Sequence, residues 1–426
     1  MRIAVVGLGH IGLPLAVQYA SAGHEVIGCD TAQWIVDAIN GGESPHLDEQ
    51  TLIDRVPELV AAGRLRATTD DAEGVRQSEV VVVIVPVVVD AQREIDFRPI
   101  DAATRDIAAG LQPGTLVIYE TTLPVGTTRD RFGPMLAQGS GLALDTDFFL
   151  AFSPERVLVG RVFLDLRRYP KIVGGTSAES TRRATEFYRA VLDEGTEVQA
   201  VASAETAEMT KLAETTYRDV NIAFANELAR YAAPRGIDVL EVIGAANSQP
   251  YSHIHQPGVG VGGHCIPVYP HFLFNGAPEL RLPPIAREIN EEMAGWAIDR
   301  IEDAVGSLDG QPVLVLGIAY RGDVREDAFS SAFRLRDELL AAGATVYGTD
   351  PYFDAEHIRR LGFEPFDLAE PERVRVAVLQ AAHDAYRQLD PASLPGLELF
   401  VDGRNALDPA PFETAGVRYL GIGRHD

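Results

Sequence analysis

The residues best suited to carry out a chemical reaction lie in a glycine-dense loop that ends in a cysteine. Residues 258–267 read GVGVGGHCIP, so that Cys265 follows closely on the paired glycines Gly262 and Gly263. Glycine permits positive φ angles and a close backbone approach, and a thiolate can form a covalent bond with a substrate carbon. The loop alone leaves two interpretations open, because an unpaired cysteine is also a common small residue of hydrophobic cores.

A second glycine motif, GLGHIG at residues 7–12, follows an apolar run and precedes a helical pattern. In that context Gly7, Gly9 and Gly12 predict a dinucleotide-binding turn, because they let a pyrophosphate approach the N-terminus of the helix. Asp30 ends the second predicted strand, where a carboxylate accepts hydrogen bonds from ribose hydroxyls and repels a 2′-phosphate. The sequence therefore predicts NAD rather than NADP. A dinucleotide together with a reactive cysteine suggests redox chemistry that passes through a thioester.

Metal and nucleoside-triphosphate chemistry find little support. His253 and His255 lie near His264 and Cys265, but their spacing fits no tight zinc pattern. The sequence contains no glycine loop that ends in Gly-Lys-Ser or Gly-Lys-Thr, so it does not indicate hydrolysis of a nucleoside triphosphate. We therefore predict no metal.

The composition narrows the class of protein. The 426 residues, with 46% hydrophobic and 23% charged residues, are typical of a globular chain of two or three domains. The net charge of −25 argues against nucleic acid and anionic membranes as partners. No run approaches the roughly 18 apolar residues of a membrane span. Cys29 and Cys265 are too few for a disulfide framework, so we expect a soluble protein of the cytoplasm.

These candidate residues must be positioned by an α/β framework. Short apolar runs separated by amphipathic helical patterns predict a parallel sheet with helices on both faces. The predicted strands of the first series are 3–7, 25–30, 80–85 and 115–120, with 148–152 and 171–173 extending the sheet. A second series is predicted at 312–317, 345–350, 374–379 and 397–402.

A long helical pattern over Ala202–Ala232 connects the two series, and a second helix is predicted near Ala286–Val305. A helix of roughly 30 residues spans about 45 Å, so we expect it to connect domains or pair subunits. Lys211 lies on this helix among apolar residues, and the sequence alone favours a solvated surface lysine, because lysine is mostly exposed. Glu155 could likewise simply begin a helix after Pro154.

Taken in order, the motifs resemble those of the UDP-glucose/GDP-mannose dehydrogenase family of nucleotide-sugar 6-dehydrogenases. The similarity covers nearly the whole chain, and the form GGHCIP most resembles the branch that acts on UDP-N-acetylhexosamines. The motifs are GLGHIG at 7–12, TTLPVGT at 121–127, SPER at 153–156, Lys211 on its helix, GGHC at 262–265 and GIAYRG at 317–322.

The resemblance implies an α/β fold of three parts. These are an N-terminal Rossmann NAD-binding domain (1–200), a long central helical connector and dimerisation domain that carries the catalytic loop (201–305), and a C-terminal Rossmann-like nucleotide-sugar-binding domain (306–426). A homodimer formed through the long helix is implied as well.

The activity implied is a four-electron oxidation, with two NAD⁺, of the C6 hydroxyl of a nucleotide sugar to the uronate. UDP-N-acetylglucosamine and UDP-N-acetylmannosamine are the favoured substrates. Cys265 would be the nucleophile that carries the thioester. Lys211 would stabilise alkoxide charge, while Glu155 and Thr122 would position or activate water. Pro86 and Thr122 would line the nicotinamide side of the cleft.

The same resemblance implies which residues contact the nucleotide sugar. They are Glu155, Arg156, Lys211, His255, Gly258, Gly262 and Arg321.

Three positions depart from the family's pattern. Tyr269 stands four residues after the cysteine, where aspartate is usual, and Thr215 stands four residues after the lysine, where asparagine is usual. Ala328 and Phe329 stand where an arginine and a glutamate are usual. A phenol, with an ordinary pKa of about 10, is a much weaker base than a carboxylate. Two alternatives therefore stay open: a two-electron NAD-dependent oxidoreductase on a nucleotide or nucleotide sugar, and a non-catalytic nucleotide-sugar-binding protein.

Overall fold

In the computed structural model, which describes residues 1–46, 49–90, 92–158 and 160–424, the chain divides into two units. Unit 1 comprises Met1–Glu214 with His271–Asn275. Unit 2 comprises Thr215–Pro270 with Gly276–Asp426. The boundary at Glu214 falls within one long helix, α9 (Ala204–Ala232), so the chain passes from one unit to the other without a loop.

Short aliphatic runs form the strands of unit 1. They are β1 (Arg2–Val6), β2 (Glu25–Cys29), β3 (Leu65–Thr68), β4 (Val80–Val83), β5 (Val88–Val89), β6 (Ile95–Asp96), β7 (Leu116–Tyr119), β8 (Phe149–Phe152), β9 (Lys171–Gly175) and β10 (Val198–Ala200). Among the described residues, eight of them form one sheet in the order β10-β9-β8-β7-β4-β1-β2-β3. Its neighbours are parallel except for the antiparallel pair of β8 and β9, while β5 and β6 form a separate antiparallel pair.

Helices return the chain between the parallel strands of this sheet, as parallel pairing requires. They are α1 (Gly12–Ser21), α2 (Gln33–Asn40), α3 (Gln50–Ala61), α4 (Asp71–Arg76), α5 (Arg98–Gly110), α6 (Gly133–Ser140), α7 (Val162–Arg168) and α8 (Ala178–Val191). The four consecutive valines of β4 are all buried, which is the pattern of a strand covered on both faces.

Unit 2 contains a second parallel sheet. Its strands are β11 (Pro312–Leu316), β12 (Thr345–Thr349), β13 (Glu364–Pro365), β14 (Val376–Leu379), β15 (Leu399–Asp402) and β16 (Arg418–Gly421), in the order β13-β12-β11-β14-β15-β16. The remaining helices are α10 (Val239–Ala246), α11 (Tyr269–Phe274), α12 (Leu282–Val305), α13 (Ser331–Ala341), α14 (Ala355–Arg360) and α15 (Ala410–Thr414).

The predicted α/β architecture is confirmed, with strands at all ten predicted positions and the long helix two residues shorter than predicted. The prediction missed β3, β5, β6, β10, β13 and β16, which are strands of two to four residues, each at the edge of its sheet. The second helix begins at Leu282, four residues before the predicted start, because prolines are tolerated in the first turn of a helix. Within the part of the chain that the structure describes, none of the helices combines the length and apolar character that a bilayer crossing requires.

Candidate active site

The predicted dinucleotide turn in unit 1 has the conformation that its glycines allow. Gly7 follows β1 with a φ of +96°, and a Cβ on Gly12 would lie 1.8 Å from the carbonyl oxygen of Gly7. A Cβ on Gly9 would meet nothing within 4 Å, so the turn faces open space at that residue. Asp30 is held beside the turn, because its carboxylate accepts hydrogen bonds from the backbone N–H of Leu8 (2.8 Å) and Ala32 (2.9 Å). These residues fit a dinucleotide.

Pro86 and Thr122 lie at the same edge of the unit 1 sheet. Pro86 follows β4 and Thr122 follows β7, and these strands are neighbours. The hydroxyl of Thr121 donates to the carbonyl oxygen of Val85 at 2.7 Å, which joins the two loops. Thr122 is buried while Pro86 is exposed.

Glu155 follows the next strand, β8, in a segment without helix, so the alternative in which it begins a helix is wrong. Its side chain is 10% exposed. One carboxylate oxygen accepts from the backbone N–H of Arg156 (2.6 Å) and the other from the ammonium group of Lys171 (2.7 Å). Burial alone would raise the pKa of Glu155, but Lys171 and the donated hydrogen bonds outweigh burial, so its pKa lies below the ordinary value.

Lys211 is buried against Glu155. It is 5% exposed, and its ammonium group donates to the carbonyl oxygen of Glu155 at 2.7 Å. The alternative of a solvated surface lysine is therefore wrong. Arg156, another predicted substrate contact, pairs with Glu214 at 2.9 Å and is only partly exposed.

Glu208, one helical turn before Lys211, fixes the loop after Thr122. It is fully buried, and it accepts hydrogen bonds from the backbone N–H of Gly126 (2.6 Å) and from the N–H and hydroxyl of Thr128 (2.9 and 2.6 Å). Burial raises the pKa of Glu208 to about 7, against the opposing effect of these hydrogen bonds. Glu208 was not predicted from the sequence, because a glutamate on a helix resembles a surface residue.

Lys171 and Glu120 were missed as well. Lys171 joins Glu155 to Glu120, which is buried immediately after β7. A signal was present in the sequence: lysine occurs only at positions 171 and 211, among 37 lysines and arginines. Both lysines contact Glu155.

The cysteine loop lies in unit 2, where backbone contacts define its shape. Gly263 has a φ of +90°, and a Cβ there would lie 2.9 Å from the ring of Tyr320. A Cβ on Gly262 would lie 3.0 Å from the carbonyl oxygen of Phe329. Cys265 is a free, partly buried thiol, and its carbonyl oxygen accepts the backbone N–H of Tyr269 at the start of α11. The glycines are thus required by close packing as well as by conformation.

Three groups of unit 2 hold this loop. The backbone N–H of Gly258 donates to the side-chain oxygen of Asn226 (3.0 Å). Arg404 donates to the carbonyl oxygen of Gly260 (2.7 Å). Phe329, at a φ of +51°, accepts the N–H of Gly263 (3.3 Å), and its ring lies edge-on to His264. This departure from the family's pattern therefore lies directly against the loop.

His255 and Arg321 are the remaining predicted contacts in unit 2. The backbone of His255 donates to Asn221 (2.9 Å), and its Nε2 is buried without a hydrogen-bond partner among the described residues. Burial and the charge of Arg218 lower the pKa of His255, so its imidazole is neutral at neutral pH. Arg321 donates to the hydroxyl of Tyr320 (3.0 Å).

The predicted residues thus fall into two sets. Unit 1 holds Gly7, Gly9, Gly12, Asp30, Pro86, Thr122, Glu155, Arg156 and Lys211, and unit 2 holds His255, Gly258, Gly262, Cys265 and Arg321. Over the described ranges, no three His, Cys, Asp or Glu side chains are grouped as a metal site requires. Cys29 is buried in β2, as a structural cysteine would be.

Comparison with known proteins identifies three matching family models. Residues 1–192 match the NAD binding domain of the UDP-glucose/GDP-mannose dehydrogenase family, 205–292 its central domain and 314–409 its UDP binding domain. The predicted resemblance, the three-part fold class and the NAD cofactor are thereby confirmed.

Individual relatives match over nearly the whole chain. A UDP-N-acetyl-D-mannosamine dehydrogenase of Pyrococcus horikoshii is 35% identical over 436 residues, covering 100% of both chains. An NDP-N-acetyl-D-galactosaminuronic acid dehydrogenase of Ralstonia nicotianae is 36% identical, covering 91% of this chain and 92% of the relative. The solved structure of a UDP-D-ManNAc dehydrogenase from P. horikoshii superposes with a TM-score of 0.89 at 33% identity, covering 100% of this chain and 99% of that chain.

Proposed function

The chain belongs to the UDP-glucose/GDP-mannose dehydrogenase family and is an NAD-dependent nucleotide-sugar dehydrogenase, and from that premise we propose that it oxidises the C6 hydroxyl of a UDP-N-acetylhexosamine to the carboxylate. The observation that carries the proposal is Cys265 at the end of a loop whose glycines pack without room for a side chain. Similarity to UDP-N-acetyl-D-mannosamine dehydrogenases favours the mannosamine over the glucosamine substrate.

The glycine turn of unit 1 would hold the cofactor. When bound, NAD⁺ supplies the hydride acceptor for both two-electron oxidations. Gly7, Gly9 and Gly12 would face its pyrophosphate, and Asp30 would accept hydrogen bonds from its ribose. Pro86 and Thr122, at the ends of β4 and β7, would line its nicotinamide side.

Cys265 would make the second oxidation possible. Its thiolate adds to the carbonyl carbon of the aldehyde, which yields a thiohemiacetal that is oxidised to a thioester. Water then adds to the acyl carbon, the carbon–sulfur bond breaks, and the thiolate leaves as the carboxylate forms. A single cysteine thus lets one protein carry an alcohol through to an acid.

Lys211 and Glu155 would act on the oxygen atoms of the substrate and of the attacking water. The ammonium group of Lys211, which is removed from bulk solvent, would stabilise negative charge that develops on the substrate oxygen. Glu155, held as a carboxylate by its neighbours, would accept a proton from the attacking water, with the hydroxyl of Thr122 positioning that water.

The nucleotide-sugar contacts that the family resemblance implies are proposed for each unit by itself. Arg156, with Glu155 and Lys211, would contribute from unit 1. His255, Gly258, Gly262 and Arg321 would contribute from unit 2, where the buried unpartnered Nε2 of His255 provides one hydrogen-bonding group for a ligand.

We further propose the domain division 1–200, 201–305 and 306–426, and a homodimer in the cytoplasm. The homodimer proposal rests on an apolar stripe of α9. Tyr217, Phe224 and Tyr231 recur every seven residues and are 55%, 49% and 59% exposed. The cytoplasmic proposal rests on the two unpaired cysteines, Cys29 and Cys265.

The test is a substrate panel with NAD⁺ in which NADH and uronate are both counted. The panel contains the UDP-linked N-acetylmannosamine, N-acetylglucosamine and N-acetylgalactosamine. Two NADH per uronate are expected, with the mannosamine preferred. Formation of one NADH and an aldehyde or ketosugar would overturn the four-electron mechanism.

The replacement of an aspartate by Tyr269 favours one rival, a two-electron oxidoreductase, because the group that assists the thiol is then weaker. The two functions differ in their need for the thiol. Replacing Cys265 with serine leaves a two-electron enzyme largely active, whereas the four-electron enzyme stops at the aldehyde or at a trapped ester.

A further inference from the structure

A buried cluster of opposite charges stands behind Glu155 in unit 1. Lys171 begins β9, Glu120 follows β7, and Glu155 follows β8, which lies between these two strands in the sheet. The ammonium group of Lys171 donates to Glu120 at 2.7 Å and to Glu155 at 2.7 Å. The side chains of Lys171 and Glu120 are 5% and 0% exposed, so water screens these contacts little.

The other oxygen of Glu120 is fully engaged as well. It accepts hydrogen bonds from the hydroxyls of Tyr188 on α8 (2.7 Å) and Tyr19 on α1 (3.1 Å). The ring of Tyr188 lies 4.8 Å from the ammonium nitrogen of Lys171, a cation–π distance. One cation therefore faces two carboxylates, and the cluster holds either an excess negative charge or one proton.

The residue type at position 171 is informative. Lysine occurs twice in 426 residues, at positions 171 and 211, whereas the other 35 basic residues are arginines. Lysine presents a compact ammonium group with three donors, whereas arginine presents a planar fork. A compact ammonium group fits between two carboxylates and the face of a tyrosine ring.

We propose that Lys171 is a positioning residue for Glu155, which it keeps ionised and fixed in orientation, and that Glu120 holds the proton of the cluster. This inference rests on the proposed function, in which Glu155 accepts a proton from the water that hydrolyses the thioester. Without the ammonium group, a buried carboxylate would be protonated at neutral pH and would no longer accept that proton.

The electrostatics of the cluster support this division of roles. Burial, together with the charge of Glu155, raises the pKa of Glu120 to about 7 against the opposing effect of Lys171. The pKa of Glu155 is instead lowered, since Lys171, a hydrogen bond from Glu120 and the N–H of Arg156 together outweigh its burial. The groups that face the pair are Lys171, Tyr19 and Tyr188 around Glu120, and Lys171, Arg156 and Lys211 around Glu155. The two carboxyl groups also interact with each other.

The test is the pH dependence of kcat for substitutions of Lys171 in the full-length enzyme. Turnover requires ionised Glu155, so it falls as the pH drops through the pKa of Glu155. Lys171→Met raises that pKa, so the acid limb should move up by about two pH units or more, into the neutral range, and kcat at pH 7 should fall by about twofold or more. The KM for NAD⁺ should not change. Lys171→Arg keeps the charge, so its acid limb should stay near that of the wild type even if its Tm falls.

Two further variants separate charge from packing. Glu120→Gln replaces a carboxyl group that holds a proton with a neutral amide that cannot ionise as the pH rises, so its acid limb should stay or move down but never up. Lys171→Met/Glu120→Gln also removes the carboxyl group that Lys171 contacts, so it provides the same test if the single variant does not fold, and its acid limb should be raised as well. A lower Tm with an unmoved acid limb in both methionine variants would overturn the inference.

Glu155→Gln distinguishes this inference from the proposed function. If Glu155→Gln keeps wild-type turnover and NADH stoichiometry, the role of Glu155 in the proposed function is wrong. If Glu155→Gln loses turnover while Lys171→Met keeps the wild-type acid limb, only the role of Lys171 is wrong.

Discussion

The two cysteines differ in their environment, which predicts a reactive role for one and a structural role for the other. Cys29 is buried in β2, and a Cβ on Gly74 would lie 2.5 Å from its sulfur. Burial raises the pKa of the Cys29 thiol, which suppresses the reactive thiolate. Cys265 is partly exposed and lies in a loop, outside any strand or helix. The same residue type therefore has two different expected reactivities.

Alkylation of the native protein tests this difference. Iodoacetamide should modify Cys265 and leave Cys29 unmodified until denaturant is added, because only Cys265 is accessible. Peptide mass spectrometry locates the adduct, and NADH formation should fall in parallel with modification. Cys265→Ser is the control and should take up no label in the native state. Modification of Cys29 first, or full activity after complete modification of Cys265, would contradict the prediction.

At the scale of residues, the sequence predicts sites whose residues are contiguous in the chain. The turn from Gly7 to Gly12 is recognisable because its glycines, strand and helix are contiguous. The cluster behind Glu155 is not, because Glu120 and Lys171 are 51 residues apart and become neighbours only once β8 lies between β7 and β9. Their charges resemble those of surface residues until the burial of both is known.

At the scale of elements, a buried polar network joins the helices α9 and α12 to the cysteine loop. Arg287 on α12 pairs with Asp219 on α9 at 2.8 Å. Asn290 donates to Asp219 (2.8 Å) and accepts from Asn226 (2.8 Å), whose oxygen in turn accepts the N–H of Gly258. All four side chains are buried, so the position of the loop depends on helix packing.

Removing the last member of this network should weaken sugar binding selectively. Asn226→Leu leaves the N–H of Gly258 without its acceptor, so the KM for the UDP-sugar should rise about tenfold, equivalent to one lost hydrogen bond. The KM for NAD⁺ should not change, because the glycine turn belongs to unit 1. Steady-state kinetics with each substrate varied in turn provide the measurement.

The same two helices offer a matched control. Arg230 on α9 pairs with Glu292 on α12 at 2.7 Å, but the two side chains are 38% and 49% exposed, so water screens the pair and Arg230→Gln should leave both KM values unchanged. An equal rise in both KM values for Asn226→Leu would indicate general destabilisation and would contradict a specific role in holding the loop.

The elements themselves were more predictable than their ends. Strands with consecutive buried aliphatic residues, such as β4 and β14, are evident from composition. The edge strand β13 has two residues, glutamate and proline, which are rare in strands, and pairing with β12 alone defines it. Such a strand exists because a neighbour provides hydrogen-bond partners, and one sequence does not reveal that neighbour.

At the scale of the whole molecule, net charge and apolar surface have opposite effects on the association of two copies. The chain carries a net charge of −25, so two copies repel each other at long range. The stripe of Tyr217, Phe224 and Tyr231 along α9 provides aromatic surface of the kind that is enriched at protein interfaces. A homodimer built on this stripe gains apolar burial against electrostatic repulsion, and salt weakens only the repulsion.

The proposed dimer should therefore tighten as salt is added. Sedimentation equilibrium at 50 and 500 mM NaCl should give a dimer whose Kd is lower at the higher concentration, because the Debye length shrinks from about 14 Å to about 4 Å. Phe224→Glu places a charge in the centre of the stripe and should yield monomer at both concentrations. Tyr251→Glu is the control, since Tyr251 is 92% exposed and lies outside the helix, and it should remain dimeric. A dimer that persists in Phe224→Glu, or one that dissociates with salt, would show that another surface joins the subunits.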